Sequence, residues 1–123
     1  MSDPMSAWQR LRAGNELFFV PTHGRQQTLH QGAPLAAVFR CADTDVASEV
    51  VFGQSWGSLI DVSTWGHVVD TGVLGTLEHA VDNLDVPLIV VLGHHDCGAM
   101  RAAMRAWQNA ELPDGASRLA IEQ

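Results

Sequence analysis

The chain has 123 residues, 46% of them hydrophobic and 17% charged. That length supports one domain with a core of its own, and the mixture argues against intrinsic disorder. Acidic residues number 14 against 7 basic ones, all of them Arg, for a formal net charge of -7; with no basic cluster, neither nucleic acid nor an anionic membrane surface is an expected partner.

In chain order, Trp8, Leu11, Asn15 and Phe18 form a mostly apolar stripe at helical spacing. They predict a helix from residue 6 to about 19, an N-terminal arm spanning 6–20, with Ser6 and Gln9 as a capping box. Residues 21–34, rich in Pro, Gly, Gln and His, read as a loop. The apolar run from Leu35 to Phe39, ending at Arg40 and Cys41, reads as a buried strand. Thr44 is placed to cap a helix reaching about Phe52, and Leu59–Val62 reads as a second strand. From Val68 to Leu84 the pattern is helical, with Val73, Leu77, Val81 and Leu84 on one face. Pro87 introduces Leu88–Leu92, the clearest strand in the chain, and Gly93 ends it. Met100, Ala103, Met104 and Trp107 mark a last helix to about Ala110, broken by Pro113, Asp114 and Gly115; residues 111–123 form a tail without an assigned element. Strands alternating with helices imply an α/β fold, a small parallel β-sheet flanked by helices, in a single domain over 1–123. The edges of so small a sheet need cover, which favours a homodimer or higher homo-oligomer. No apolar run approaches the roughly 20 residues that span a bilayer. The first six residues lack the basic start and apolar stretch of a secretory signal, so the expected location is cytoplasmic.

Ligands collect at the carboxyl ends of strands in open parallel sheets. Two segments rich in metal-type side chains fall there. Cys41-Ala42-Asp43 follows the first strand, and His94-His95-Asp96-Cys97 follows the third. His94 and Cys97 have the spacing that lets two donors reach one ion across a strand-to-helix turn, and Cys41 can approach from the neighbouring strand. Two thiolates and one imidazole suit a tetrahedral, borderline-soft ion such as zinc. Three protein ligands leave one position open, the mark of a catalytic rather than a structural site.

These segments resemble the β-class carbonic anhydrases. The likeness lies in Gly14–Phe18, in Cys41–Asp45, in Thr64–Asp70, in Leu74–Ala80 and above all in Val86–Ala99, the strand and turn that carry His94 and Cys97. It covers about residues 6 to 110. The resemblance implies Zn2+ held by Cys41, His94 and Cys97, and hydration of carbon dioxide to bicarbonate or attack on a similar small electrophile. It implies that Asp43 either accepts a hydrogen bond from metal-bound water or becomes a fourth ligand. It also implies a dimer, or an assembly of dimers, with the active site at the subunit interface. Gln27 corresponds to a family Gln that hydrogen-bonds substrate from the partner subunit.

Three departures accompany the likeness. Asp45 stands where the family carries an Arg that pairs with the Asp and holds it off the metal. With no cation at that position, the expectation is that Asp43 has no cationic neighbour but the zinc and closes the site. Asp45 itself is either a first-turn acid favoured by the helix dipole or a general base. The family's Arg-x-Ala-Gly is here Ser63-Thr64-Trp65-Gly66, which removes a second Arg and puts Trp65 at a strand end, as core filler or as the wall of a substrate pocket. The family's catalytic domain also continues beyond the last helix read here, so the fold expected is one lacking the usual C-terminal part. His95 is either a solvent-facing turn residue or a proton relay, Asp96 a turn residue, and His67 a capping or supporting residue. The rival readings are a zinc enzyme for a different small substrate and a non-catalytic protein with a closed Cys2HisAsp site.

Overall fold

The computed structural model describes residues 3–18 and 30–123. The elements are α1 (Pro4–Phe18), β1 (Ala36–Cys41), α2 (Ser48–Val51), β2 (Leu59–Thr64), a 3-10 turn (Trp65–His67), α3 (Thr71–Asp82), β3 (Ile89–Leu92), α4 (Gly98–Asn109) and α5 (Ala116–Glu122). The three strands form one parallel sheet in the order β2-β1-β3.

β1 is central, and every residue in it except Arg40 is buried. Its alternation sorts the two faces of the sheet. Ala37 packs with Ala80 and Val86, and Phe39 packs with Val62 and Val73. Those partners put α3 on the face shared by Ala37 and Phe39, and by periodicity Cys41 belongs to the same face. On the opposite face Arg40 reaches α2, donating from Nη1 to Ser48 Oγ at 3.3 Å and from Nη2 to the Thr44 carbonyl at 3.3 Å. The flanking strands are less covered. β3 leaves Ile89 and Val91 exposed, Val91 at 68%.

Several boundaries differ from the sequence reading, each for a local reason. α1 starts at Pro4, whose missing N–H costs nothing in a first helical turn. The Asp3 carbonyl accepts from the Ala7 N–H at 3.1 Å, and Ser6 lies inside the first turn, donating to the Asp3 carboxylate at 3.3 Å. No residue of α1 is buried. Thr44 caps no helix. Its hydroxyl donates to the Cys41 carbonyl at 2.7 Å, which makes a turn, and α2 is a single turn that begins at Ser48. α3 presents Val73, Leu77 and Ala80 to the core, while Val81 is exposed. β2 runs to Thr64, two residues past the expected end. The tail contains α5, which carries an Arg118–Glu122 ion pair one turn apart at 2.9 Å. Among the described residues no helix is long and apolar enough to cross a membrane.

Asp70 is the true N-cap of α3, its carboxylate accepting from the Val73 N–H at 2.9 Å. Asp70→Ala is expected to lower stability by about 1 kcal/mol, read as a shift of the urea midpoint with an unchanged slope.

Candidate metal centre

Sheet topology brings the metal-type residues together. With β1 between its neighbours, the chain leaves β1 toward β2 on one side and returns to β3 on the other, so a crevice opens above the carboxyl ends of β1 and β3. Cys41 is the last residue of β1. His94 lies in the turn after β3, and Cys97 is the N-cap of α4. The ligand atoms of Cys41, His94 and Cys97 all lie within 4.8 Å of one another, and among the described residues this is the one group of three or more such side chains placed to share an ion.

Cys41 is fully buried and Cys97 is 9% exposed. Their sulfurs are 3.5 Å apart, close to the roughly 3.8 Å expected of two thiolates on a tetrahedral ion at about 2.3 Å. Cys41 Sγ also accepts from two backbone donors, the Gly66 N–H at 3.2 Å and the Asp43 N–H at 3.5 Å. His94 Nε2 is buried and has no hydrogen-bond partner. An unpaired buried nitrogen costs about 1–3 kcal/mol, and an ion shared with the two sulfurs supplies the missing partner. The donor set therefore fits a tetrahedral, borderline-soft metal.

Supporting residues fix the two turns. His67 Nε2 meets the Leu92 carbonyl at 2.9 Å, and its ring packs edge-on against Phe39 with centroids 5.1 Å apart. His67 thus ties the turn after β2 to the end of β3, two residues before His94. Trp65 packs against Cys41, Cys97 and Ala99 and also lines a cavity of about 290 Å³ bounded by Ala120 and Ile121 of α5. Gly66 is required where it stands. Its φ is 70°, and a Cβ there would meet Ala99 Cβ at 2.9 Å.

The acidic residues separate. The Asp43 carboxylate accepts from the Gly98 N–H at 2.9 Å, at the start of α4. Asp45 is exposed and borders a cavity of about 260 Å³ with His94 and His95. His95 and Asp96 face solvent. Gln27 lies outside the described residues. Arg101 of α4 pairs with Asp96, and among the described residues no ion pair joins a cation to Asp43. A Cβ built on Gly98 would sit 2.6 Å from Asp43 Oδ2, so glycine leaves room for that carboxylate. Sequence reasoning missed the Gly98 N–H, whose approach to Asp43 depends on how two turns stack.

Residues 36–120 match the carbonic anhydrase family. The chain belongs to the β-carbonic anhydrase family. It is 44% identical over 130 aligned positions to carbonic anhydrase 2 of Mycobacterium tuberculosis, an alignment covering 99% of this chain and 63% of the relative. The carbonic anhydrase of Mycolicibacterium smegmatis matches at the same 44% identity, again over 99% of this chain and 63% of the relative. Among solved structures, the Coccomyxa β-carbonic anhydrase in complex with acetazolamide superposes with a TM-score of 0.65 at 26% identity, covering 99% of this chain and 55% of that one. The chain thus spans less than two thirds of the length of these relatives. Within that span, the small parallel sheet with flanking helices is the β-carbonic anhydrase arrangement.

Gly66→Ala is expected to cost about 1–3 kcal/mol, since it places an ordinary residue in the left-handed region against Ala99. Equilibrium urea unfolding of the metal-free protein checks it.

Proposed function

We propose that this chain is a zinc-binding β-carbonic anhydrase domain over 1–123, acting on carbon dioxide or a similarly small electrophile as part of a homodimer. The observation that carries the reading is the convergence of Cys41, His94 and Cys97, with His94 Nε2 buried and unpartnered. When bound there, zinc supplies Lewis-acid activation of water at neutral pH. The residues divide the remaining work. Cys41 and Cys97 hold the ion as thiolates, their two negative charges balancing a divalent cation. His67 and Phe39 keep the His94 turn in register. Asp43, with Oδ2 on the Gly98 N–H, keeps Oδ1 to accept a hydrogen bond from the attacking water. Trp65 closes one wall beside the two sulfurs and narrows what can approach. Asp45 and His95, on the open cavity beside His94, are placed to pass a proton to solvent.

A second reading has one feature behind it. Neither Asp45 nor Ser63 supplies the cation that the family carries at its position, which favours a different small substrate or a non-catalytic zinc domain. Direct hydrogen bonding of Asp43 to the α4 backbone speaks for an open site over a closed Cys2HisAsp one.

Metal analysis of purified protein is expected to give one zinc per chain, with a large loss in Cys41→Ser and in Cys97→Ser. Full zinc in both variants would overturn the ligand assignment. Stopped-flow hydration of carbon dioxide is expected in the wild type and not in Cys41→Ser; a zinc-loaded wild type without hydration selects the second reading. The exposed apolar residues of β3 and α4 lead to a further expectation. Light scattering over a wide concentration range should give at least twice the chain mass, and a single-chain mass throughout would remove the dimer.

A further inference from the structure

We propose that Cys97 is an oxidation site for hydrogen peroxide and that Cys41 resolves it, so that the two cysteines close a reversible disulfide when no metal lies between them. The inference rests on the zinc reading above only for what shields the pair, and it adds a modification that the reading does not contain.

The chain has two cysteines, both free and both buried, with their sulfurs 3.5 Å apart. A disulfide needs about 2.0 Å, and the gap of about 1.5 Å lies within the sweep of a cysteine side chain about its Cα–Cβ bond. Positions 41 and 97 are 56 residues apart along the chain, so an unfolded chain brings these sulfurs together only rarely. The fold brings them together through the end of β1 and the start of α4.

The two sulfurs are not equivalent. Cys41 is fully buried, and its sulfur accepts from the Gly66 and Asp43 N–H groups, which fix its place. Cys97 is 9% exposed, caps no backbone N–H of α4 and borders a cavity of about 460 Å³ that Met100 and Met104 also line. Peroxide entering that cavity meets Cys97 first. The Cys97 sulfur, having given up its proton, attacks one peroxide oxygen. The O–O bond breaks, and the departing hydroxide takes up that proton as water, leaving Cys97 as a sulfenic acid. Cys41 Sγ then attacks the Cys97 sulfur, the S–O bond breaks, and the Cys41 proton leaves with the hydroxyl as a second water. Two thiols are oxidised and one peroxide is reduced, and a thiol reductant reverses the change. The disulfide leaves no thiolate to hold an ion, and only His94 remains of the donor set. Metal bound to both sulfurs engages the same lone pairs, so metal and peroxide compete for one pair of atoms.

The test exposes the zinc-loaded protein to excess hydrogen peroxide until Met100 and Met104 have become sulfoxides, a sign that oxidant has reached the cavity. Free zinc is followed with a colour reagent. Remaining thiols are alkylated, and proteolytic peptides are read by mass spectrometry. Zinc release is expected to track the loss of both thiols, with the Cys41 and Cys97 peptides joined and lighter by two hydrogens than the separate pair. Dithiothreitol should return both thiols and the capacity to rebind zinc, and added free zinc should slow the oxidation. The same exposure in urea should join the peptides far more slowly. In Cys41→Ser, Cys97 should go on to sulfinic acid, whereas in Cys97→Ser the buried Cys41 should stay a thiol. Both thiols intact after the two methionines have oxidised overturn the proposal. So does sulfinic acid in the wild type without joined peptides, or joining that is as fast in urea as in the folded chain. Oxidation of Cys41 in Cys97→Ser as fast as that of Cys97 in Cys41→Ser overturns the order of attack. Purified protein that holds no zinc removes the metal reading instead, and the peptides of that same sample still decide the disulfide.

Discussion

Cys41 ends the most deeply buried strand of the sheet, and its sulfur accepts the Gly66 and Asp43 N–H groups while lying 3.5 Å from Cys97 Sγ. A buried sulfur grouped with a second thiol and an unpartnered imidazole nitrogen requires a shared partner. That requirement orders the whole end of the sheet. The left-handed turn at Gly66, the start of α4 and the path of the chain after β3 each bring a group to within reach of one sulfur. The core beneath serves the same end: Ala37 and Phe39 fix the height of β1 against α3, and the register of β1 with β3 pairs Arg40 with Leu92, two residues before His94.

Apolar runs and period-3.6 patterns were legible in the sequence, in buried β1 and also in β3 and α4, which are only partly covered. β1, β3, α3 and α4 lie close to where alternation and spacing put them. Legibility failed where polar side chains satisfy backbone groups locally. Thr44 had a cap's chemistry but spends its hydroxyl on the Cys41 carbonyl, and α2 shrinks to one turn. Val81 fitted the apolar stripe of α3, yet the small Ala80 is the residue that lies against β1. α5 lacks an apolar stripe long enough to announce itself. Within the site, the three donors were readable because ligand spacing is a local property of two strand ends. The contact of Asp43 with Gly98, 55 positions away, was not, because it depends on how two turns are stacked.

Apolar surface is left exposed on α4, β3 and α1. Trp107 of α4 is 87% exposed, Met100 and Met104 lie on the same helix, and Val91 stands bare on β3. On α1, Trp8 and Leu11 are exposed too. Scattered apolar residues are ordinary on a surface, but two helices and a strand that all carry exposed apolar side chains form an unusual set for one small chain. The cavity beside Cys97 is walled by Met100 and Met104 and flanked by Arg101 and Arg105, so any cover over α4 would also form the outer wall of the metal site. Burial of that surface would lower the dielectric around the Arg101–Asp96 pair and strengthen it. Cover over α4 and the setting of the metal site are thereby linked: a contact that hid the apolar face of α4 would also firm the Arg101–Asp96 pair in the turn between His94 and Cys97.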